Sequence, residues 1–131
     1  MTVIDSSALV SVLLAEPGWE ELQRHLEQAG VCRMSAVTLV ETAIVVEARL
    51  GAAGRAQLDM LLRRIGAEVR PVDAQLALTV IEGWRRYGRG RHQARLNFGD
   101  CFSYALAAEL GEALLFVGDD FSHTDIVSAM T

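Results

Sequence analysis

Apolar and polar positions alternate in blocks that predict short strands and helices in turn. TVID opens the chain as a short buried strand, and SSALVSVLLAE follows at once as an apolar helix, broken by Glu16, Pro17 and Gly18. WEELQRHLEQAG has Trp19, Leu22, Leu26 and Ala29 on one face and stops at Gly30, which predicts an amphipathic helix. VCRM is a second strand. Ser35 then caps the helix SAVTLVETAIVVEARLG, closed by Gly51, and AGRAQLDMLLRRIG forms another, ended by Gly66. AEVRPV is a third strand, with Pro71 marking its end or an edge position. Asp73 starts DAQLALTVIEGWRRYG, Asp100 starts a sixth helix, ALLFVG is a fourth strand and DIVSA a candidate fifth. Strands alternating with helices predict an α/β fold with a parallel sheet. The stretch from Ala36 to Ala48 is apolar on nearly every side, so it belongs either in the core or at a subunit interface.

Length and composition narrow the class. The 131 residues are enough for one domain, residues 1–131, and 51% apolar content excludes a disordered chain. No apolar run reaches the ~18 residues that span a bilayer, so no membrane association is expected. The start MTVIDSS lacks the basic region of a signal peptide. Cys32 and Cys101 stand far apart, in no metal spacing, and suit the reducing cytoplasm. The net charge of −5 hides an asymmetry, because all 12 basic residues are Arg. Arg85, Arg86, Arg89, Arg91 and Arg95 fall within WRRYGRGRHQAR, a strip that also holds His92 and no acid. The rest of the chain is strongly acidic.

In open parallel sheets ligands bind beyond the carboxyl ends of the strands. Asp5 ends the first strand and Asp119 and Asp120 follow the fourth, while Asp100 opens a helix and Glu41 lies in the helix after the second strand. Each has an ordinary reading: Asp5 and Asp100 as caps, Glu41 as a surface residue, Asp119 and Asp120 as turn residues. Glu47 has apolar helical neighbours like those of Glu41, so that pattern does not separate the two. Caps alone have no reason to gather on one edge of a sheet. A carboxylate cluster would raise its own pKa values unless a cation joined it. Oxygen ligands without His or Cys suit Mg²⁺ or Mn²⁺, which activate water and steady the charge on a phosphodiester.

Four blocks of the chain, VIDSSALV, SAVTLVETAIVVEARLG, YGRGRHQARLNFGDCFSYALA and LLFVGDDFSHTDI, resemble in order and spacing the PIN-domain ribonucleases, and specifically the VapC-type toxins of bacterial toxin–antitoxin pairs. The resemblance implies a PIN-like three-layer α/β/α sandwich around a central, mainly parallel sheet of four to five short strands. It implies a cytoplasmic, metal-dependent endoribonuclease that cleaves cellular RNA to inhibit translation and growth. The cofactor would be Mg²⁺ or Mn²⁺. The acid set maps to Asp5, Glu41 and Asp100, with Asp120 or Asp119 as the fourth, and Ser7 as a supporting hydroxyl. Asp5 and Asp100 are expected as direct ligands, with Glu41 and Asp120 or Asp119 completing the cluster directly or through water. Partners implied are the RNA substrate, a second copy of the chain in a homodimer, and a VapB-type antitoxin in a hetero-oligomer.

The Arg strip is the natural phosphate-binding element, with a solvated helix end or a contact to an acidic partner as its alternatives. Gly88 and Gly90 suggest that it is mobile. Tyr87 and Phe98 read as packing residues that could also stack on bases, and Cys101 reads as a small buried residue with no basic partner to activate it. Rival classes lack their signatures. A signalling receiver needs a Lys, an aspartyl phosphatase wants DxD where DSS stands, and a P-loop needs GK[ST]. The remaining rival is a catalytically inactive PIN-like interaction module, against which the full acid set counts.

Overall fold

The computed structural model describes residues 1–130. In chain order the elements are β1 (Thr2–Ile4), α1 (Ser6–Leu13), α2 (Trp19–Gln28), β2 (Cys32–Ser35), α3 (Ala36–Arg64), β3 (Glu68–Arg70), α4 (Ala74–Tyr87), α5 (Phe98–Leu110) and β4 (Ala113–Leu115), followed by a 3-10 turn at Asp120–His123. The four strands form one parallel sheet in the order β3-β2-β1-β4. The chain therefore steps outward from β1 to β2 and β3, then returns to place β4 on the other side of β1. That reversal makes the gap between the carboxyl ends of β1 and β4 the topological switch point, where such sheets open a crevice.

Alternation along the strands builds the two sides of the core. Val3 and Leu114 face one layer, packed with Leu76 and Val80 of α4 and Phe102 and Leu106 of α5. Ile4 and Leu115, one residue on, face the other, packed with Leu9 of α1, Leu26 of α2 and Leu58 of α3. Both faces of the central strands β1 and β4 are covered, which gives a three-layer sandwich and explains why these two read as apolar runs, whereas edge strand β3 is largely exposed.

The two helices predicted on either side of Gly51 are present as the two halves of α3, separated by a kink at Gly51, which sits at φ 69°, ψ −162°. Two details differ from the sequence reading. DIVSA is not a strand. It makes one parallel bridge, Leu114 with Ser128, in which the Leu114 N–H donates to the Val127 carbonyl and the Ala129 N–H to the Leu114 carbonyl, both at 2.9 Å. This short cover occupies the outer edge of β4, where an open strand would invite pairing with another chain. Finally, α5 starts before Asp100, at Phe98, with Asn97 as its cap.

The long helix α3 divides its apolar residues between inside and outside. Thr38, Thr42 and Val46 are buried, whereas Val40 and Ile44 are exposed. Core and outward-facing positions thus occur on the same helix, and its apolar outer face is available to a partner.

Candidate active site

Asp5 is the first residue past β1, and its N–H donates to the Leu115 carbonyl of β4 at 3.0 Å, extending the pairing by one step at the switch point. It is also the N-cap of α1, with Oδ2 accepting from the Ser7 N–H at 3.1 Å. The Ser7 hydroxyl donates to the same oxygen at 2.7 Å and in turn accepts from the Val117 N–H, beyond β4, at 3.0 Å. The other oxygen, Oδ1, accepts from the Ser103 hydroxyl of α5 at 2.6 Å. Asp5 is only 2% exposed. The expected supporting role of Ser7 is therefore a physical link between the ends of β1 and β4.

Asp100 does not cap its helix. It is the third residue of α5, and with Asn97 it forms a capping box. Asn97 Oδ1 accepts from the Asp100 N–H at 2.8 Å, while Asp100 Oδ2 accepts from the Asn97 N–H at 3.0 Å. The spacing Asn-x-x-Asp in LNFGD carried that signal, and reading Asp100 itself as the cap missed it. Glu41 reaches the same place from α3. Its Oε1 accepts from the Ser6 hydroxyl, next to Asp5, at 2.9 Å. Its carboxylate also lies against the backbone of Gly99, where a Cβ would stand 2.6 Å from both carboxylate oxygens. Only glycine leaves that seat open. Glu47, which sequence alone could not separate from Glu41, is exposed and lines a different hollow with Ile44 and Arg55.

The acids repel one another. Burial, countered in part by the Asn97 N–H and reinforced by the neighbouring Asp5 and Asp120, pushes the Asp100 carboxyl up to about 7. The two candidates after β4 are both exposed; Asp120 is the one that acts on Asp100, and Asp119 precedes the 3-10 turn. None of the ion pairs among the described residues reaches Asp5, Glu41, Asp100 or Asp120. The cluster has no cationic side chain of its own, and all its donor atoms are oxygen. Among the described residues no three His, Cys, Asp or Glu side chains come together tightly enough to hold an ion directly. The arrangement fits a hydrated Mg²⁺-sized cation, which keeps several waters and takes only one or two carboxylates. Beside it, burial and then Asp100 push the Cys101 thiol up to about 11, which makes it inert.

The Arg strip is cross-braced by backbone hydrogen bonds. The Arg89 N–H donates to the Leu96 carbonyl (3.0 Å), the Leu96 N–H to the Tyr87 carbonyl (2.9 Å), and the Arg91 and His92 N–H groups to the Gly88 carbonyl (3.0 and 3.1 Å). His92 is structural, since its Nδ1 accepts from the Ala94 N–H and its ring packs edge-on to Tyr87. Arg86 reaches Asp125 and the Tyr87 hydroxyl, Arg85 pairs with Glu82, and Arg91 stacks over Trp84. Arg89 and Arg95 are exposed and take no part in the ion pairs. Phe98 is 77% exposed at the start of α5 and rests on Phe102. Together with Val37, Val40, Asn97 and Gly99 it lines a groove of about 350 Å³ in which Glu41 forms part of the wall. Sequence reading missed Ser6, Thr38, Gly99 and Ser103, although Ser103 stood out as the polar residue in an otherwise apolar stretch, FSYALAA.

The molecule is therefore an α/β domain with an acid-lined cleft at the switch point of a parallel sheet. The profile of the PIN domain family matches residues 2–127. Ribonuclease VapC30 of Mycobacterium tuberculosis is 46% identical over 126 residues, covering 96% of each chain. The crystal structure of M. tuberculosis VapC20, a Sarcin-Ricin loop cleaving toxin, superposes with a TM-score of 0.81 over 98% of both chains at 20% identity. VapBC2 from Rickettsia felis, bound to a DNA fragment from its promoter, gives 0.76 at 14% identity, over 97% of this chain and 95% of that one. The chain belongs to the PIN domain family, among the VapC ribonucleases.

Two outcomes follow from the geometry. An unfolded Asp loses its proton near 3.8, whereas folded Asp100 keeps it to about 7. The folded state thus binds the extra proton between those values. Its stabilising contribution is complete below pH 3.8 and is lost as pH rises through about 7. In EDTA, urea unfolding should show stability falling from pH 5 to pH 8 more steeply in wild type than in Asp100→Asn, by something on the order of 2–4 kcal/mol; parallel profiles would contradict it. Gly99→Ala should fold with stability within about 1 kcal/mol of wild type, because the flexible Glu41 side chain can move aside. A structure of the variant should show the Ser6–Glu41 hydrogen bond broken.

Proposed function

We propose that the chain is a metal-dependent endoribonuclease toxin that cuts cellular RNA and is neutralised by a VapB-type antitoxin. The observation that carries this reading is the meeting of Asp5, Asp100 and Asp120 at the switch point, with Glu41 beside them and no cationic side chain among them. Likeness to VapC ribonucleases that share nearly half of its sequence supports the ribonuclease activity. Asp5 and Asp100 would hold Mg²⁺ or Mn²⁺ directly, and Glu41 and Asp120 through its waters. A bound divalent ion supplies charge neutralisation at the phosphodiester and acidifies water near it.

The chain's own groups do the rest. Asp5 is fixed by three hydrogen bonds, so it presents its carboxylate without reorganising. Asp100, which titrates near neutrality, can take or give a proton at its carboxyl when no cation is present, and binding a cation displaces that proton. Ser6 holds Glu41 in its seat on Gly99. Arg89 and Arg95 bind backbone phosphates, and the open face of Phe98 takes an unpaired base. The exposed Val40 and Ile44 of α3, with Met60 further along it, are apolar surface for a homodimer or antitoxin contact. An assembly with an antitoxin is in keeping with the VapBC2 likeness.

Purified protein, free of antitoxin, should cut total cellular RNA at discrete sites with Mg²⁺ or Mn²⁺ and not with EDTA. Asp5→Asn or Asp100→Asn should lower the rate on the order of 100-fold or more. Cutting that persists in both variants would trace to a contaminant and end the assignment. A folded, metal-binding wild type that cuts nothing would favour the inactive interaction module. Arg89→Ala with Arg95→Ala should weaken RNA binding and reduce the slope of log affinity against log salt by about 1–1.5, as expected for two lost phosphate contacts. An unchanged slope would remove these residues from the interface.

A further inference from the structure

The acceptor sites on Asp5 can be counted. A carboxylate offers about four lone-pair sites, two on each oxygen. Oδ2 takes the Ser7 N–H and the Ser7 hydroxyl, so both of its sites are filled. Oδ1 takes the Ser103 hydroxyl and has one site left. Asp5 therefore has a single acceptor position available for anything further, and it lies on Oδ1.

What fixes Oδ1 comes from the core. The hydroxyls of Ser103 and Thr38 are 3.3 Å apart, and both residues are fully buried. Ser103 has one proton and gives it to Asp5, so the proton between the two hydroxyls must come from Thr38. The chain of donors runs Thr38 to Ser103 to Asp5 Oδ1, from α3 through α5 to the end of β1. On the other side it runs from the Val117 N–H to Ser7 to Oδ2. Each hydroxyl that accepts one hydrogen bond while donating the next is a stronger donor for it. The 2.6 Å contact is the length expected of a hydroxyl donating to a charged oxygen.

We propose that Ser103, oriented by Thr38, is a positioning residue that sets the one remaining acceptor site through which Asp5 binds a divalent cation, Oδ1 serving as a single-oxygen ligand. This rests on the metal-centre reading above. The test measures Mn²⁺ affinity by calorimetry on the full chain without RNA, alongside urea stability, for wild type, Ser103→Ala, Thr38→Val and the double variant. Ser103→Ala should weaken Mn²⁺ binding about 10- to 100-fold, and Thr38→Val by a smaller factor. The double variant should match Ser103→Ala, because Thr38 acts only through Ser103. At saturating Mn²⁺ the KM for RNA should stay near the wild-type value, since neither hydroxyl touches the substrate. If both single variants lose stability but bind Mn²⁺ like wild type, the hydroxyls merely satisfy each other in the core and the inference is wrong. Should Ser103→Ala fail to fold, wild-type Mn²⁺ affinity in Thr38→Val alone overturns it. A wild type that binds no Mn²⁺ would instead bring down the metal centre itself.

Discussion

Carboxylates crowded into a poorly solvated cleft repel one another, and the surrounding structure is arranged to hold them there. The sheet order brings the residue after β1 and the turn after β4 to one crevice. Two helix starts then point into it. Asp5 caps α1, Asp100 is in the first turn of α5, and Glu41 rests on Gly99 in that same turn. Unpaired N–H groups at helix starts carry partial positive charge, which favours anions without placing a full cation among them. The remaining support is hydroxylic: Ser6, Ser7 and Ser103 each donate to a carboxylate oxygen. Neutral donors offset only part of the cost, and burial first, with the charges of Asp5 and Asp120 added to it, leaves the pKa of Asp100 raised.

The chain does not lack cations that could have filled the gap. Several of its arginines pair with acids elsewhere. Arg33 lies across the sheet on its opposite, amino edge, pairing with Glu112 and Glu68. Arg64 joins Glu27, and Arg86 ties α4 to Asp125 near the chain end, where the Tyr104 hydroxyl also donates to Asp125 at 2.8 Å. An arginine beside Asp100 would lower its pKa and occupy the place of a divalent ion. Among the described residues none of the ion pairs joins an arginine to the cleft acids, while Arg89 and Arg95 stand exposed on the loop before α5.

Much of this was legible in the residue pattern, and the exceptions share a cause. Strand and helix order, the break at Gly51 and the acids at the carboxyl edge are written in local spacing, and they held. The outcome at Asp119 and Asp120 was not, because adjacent residues in a turn differ only in where the turn points them. The bracing of the Arg strip was not visible either: Leu96 exchanges backbone hydrogen bonds with Tyr87 and Arg89 across the loop. DIVSA has a strand's composition, but it meets β4 at a single bridge, Leu114 with Ser128. Ser103 and Thr38 are 65 residues apart, and no local pattern joins them.

Those two hydroxyls meet in the core because α5 is thoroughly buried. Every residue from Gly99 to Ala107 is inside, packed between α3, α4 and the sheet. A helix so enclosed cannot slide or roll without opening the core. Gly99, Asp100 and Ser103 lie within its first turns, so they share that rigidity and touch Glu41, Asn97 and Asp5 in turn. Repulsion among the acids would spread a site built on flexible loops. Here it acts against side chains carried on a helix enclosed from Gly99 to Ala107, and burial together with that repulsion raises the proton affinity of Asp100. A cation that displaces that proton has little reorganisation to impose, which is the condition for a pre-formed site.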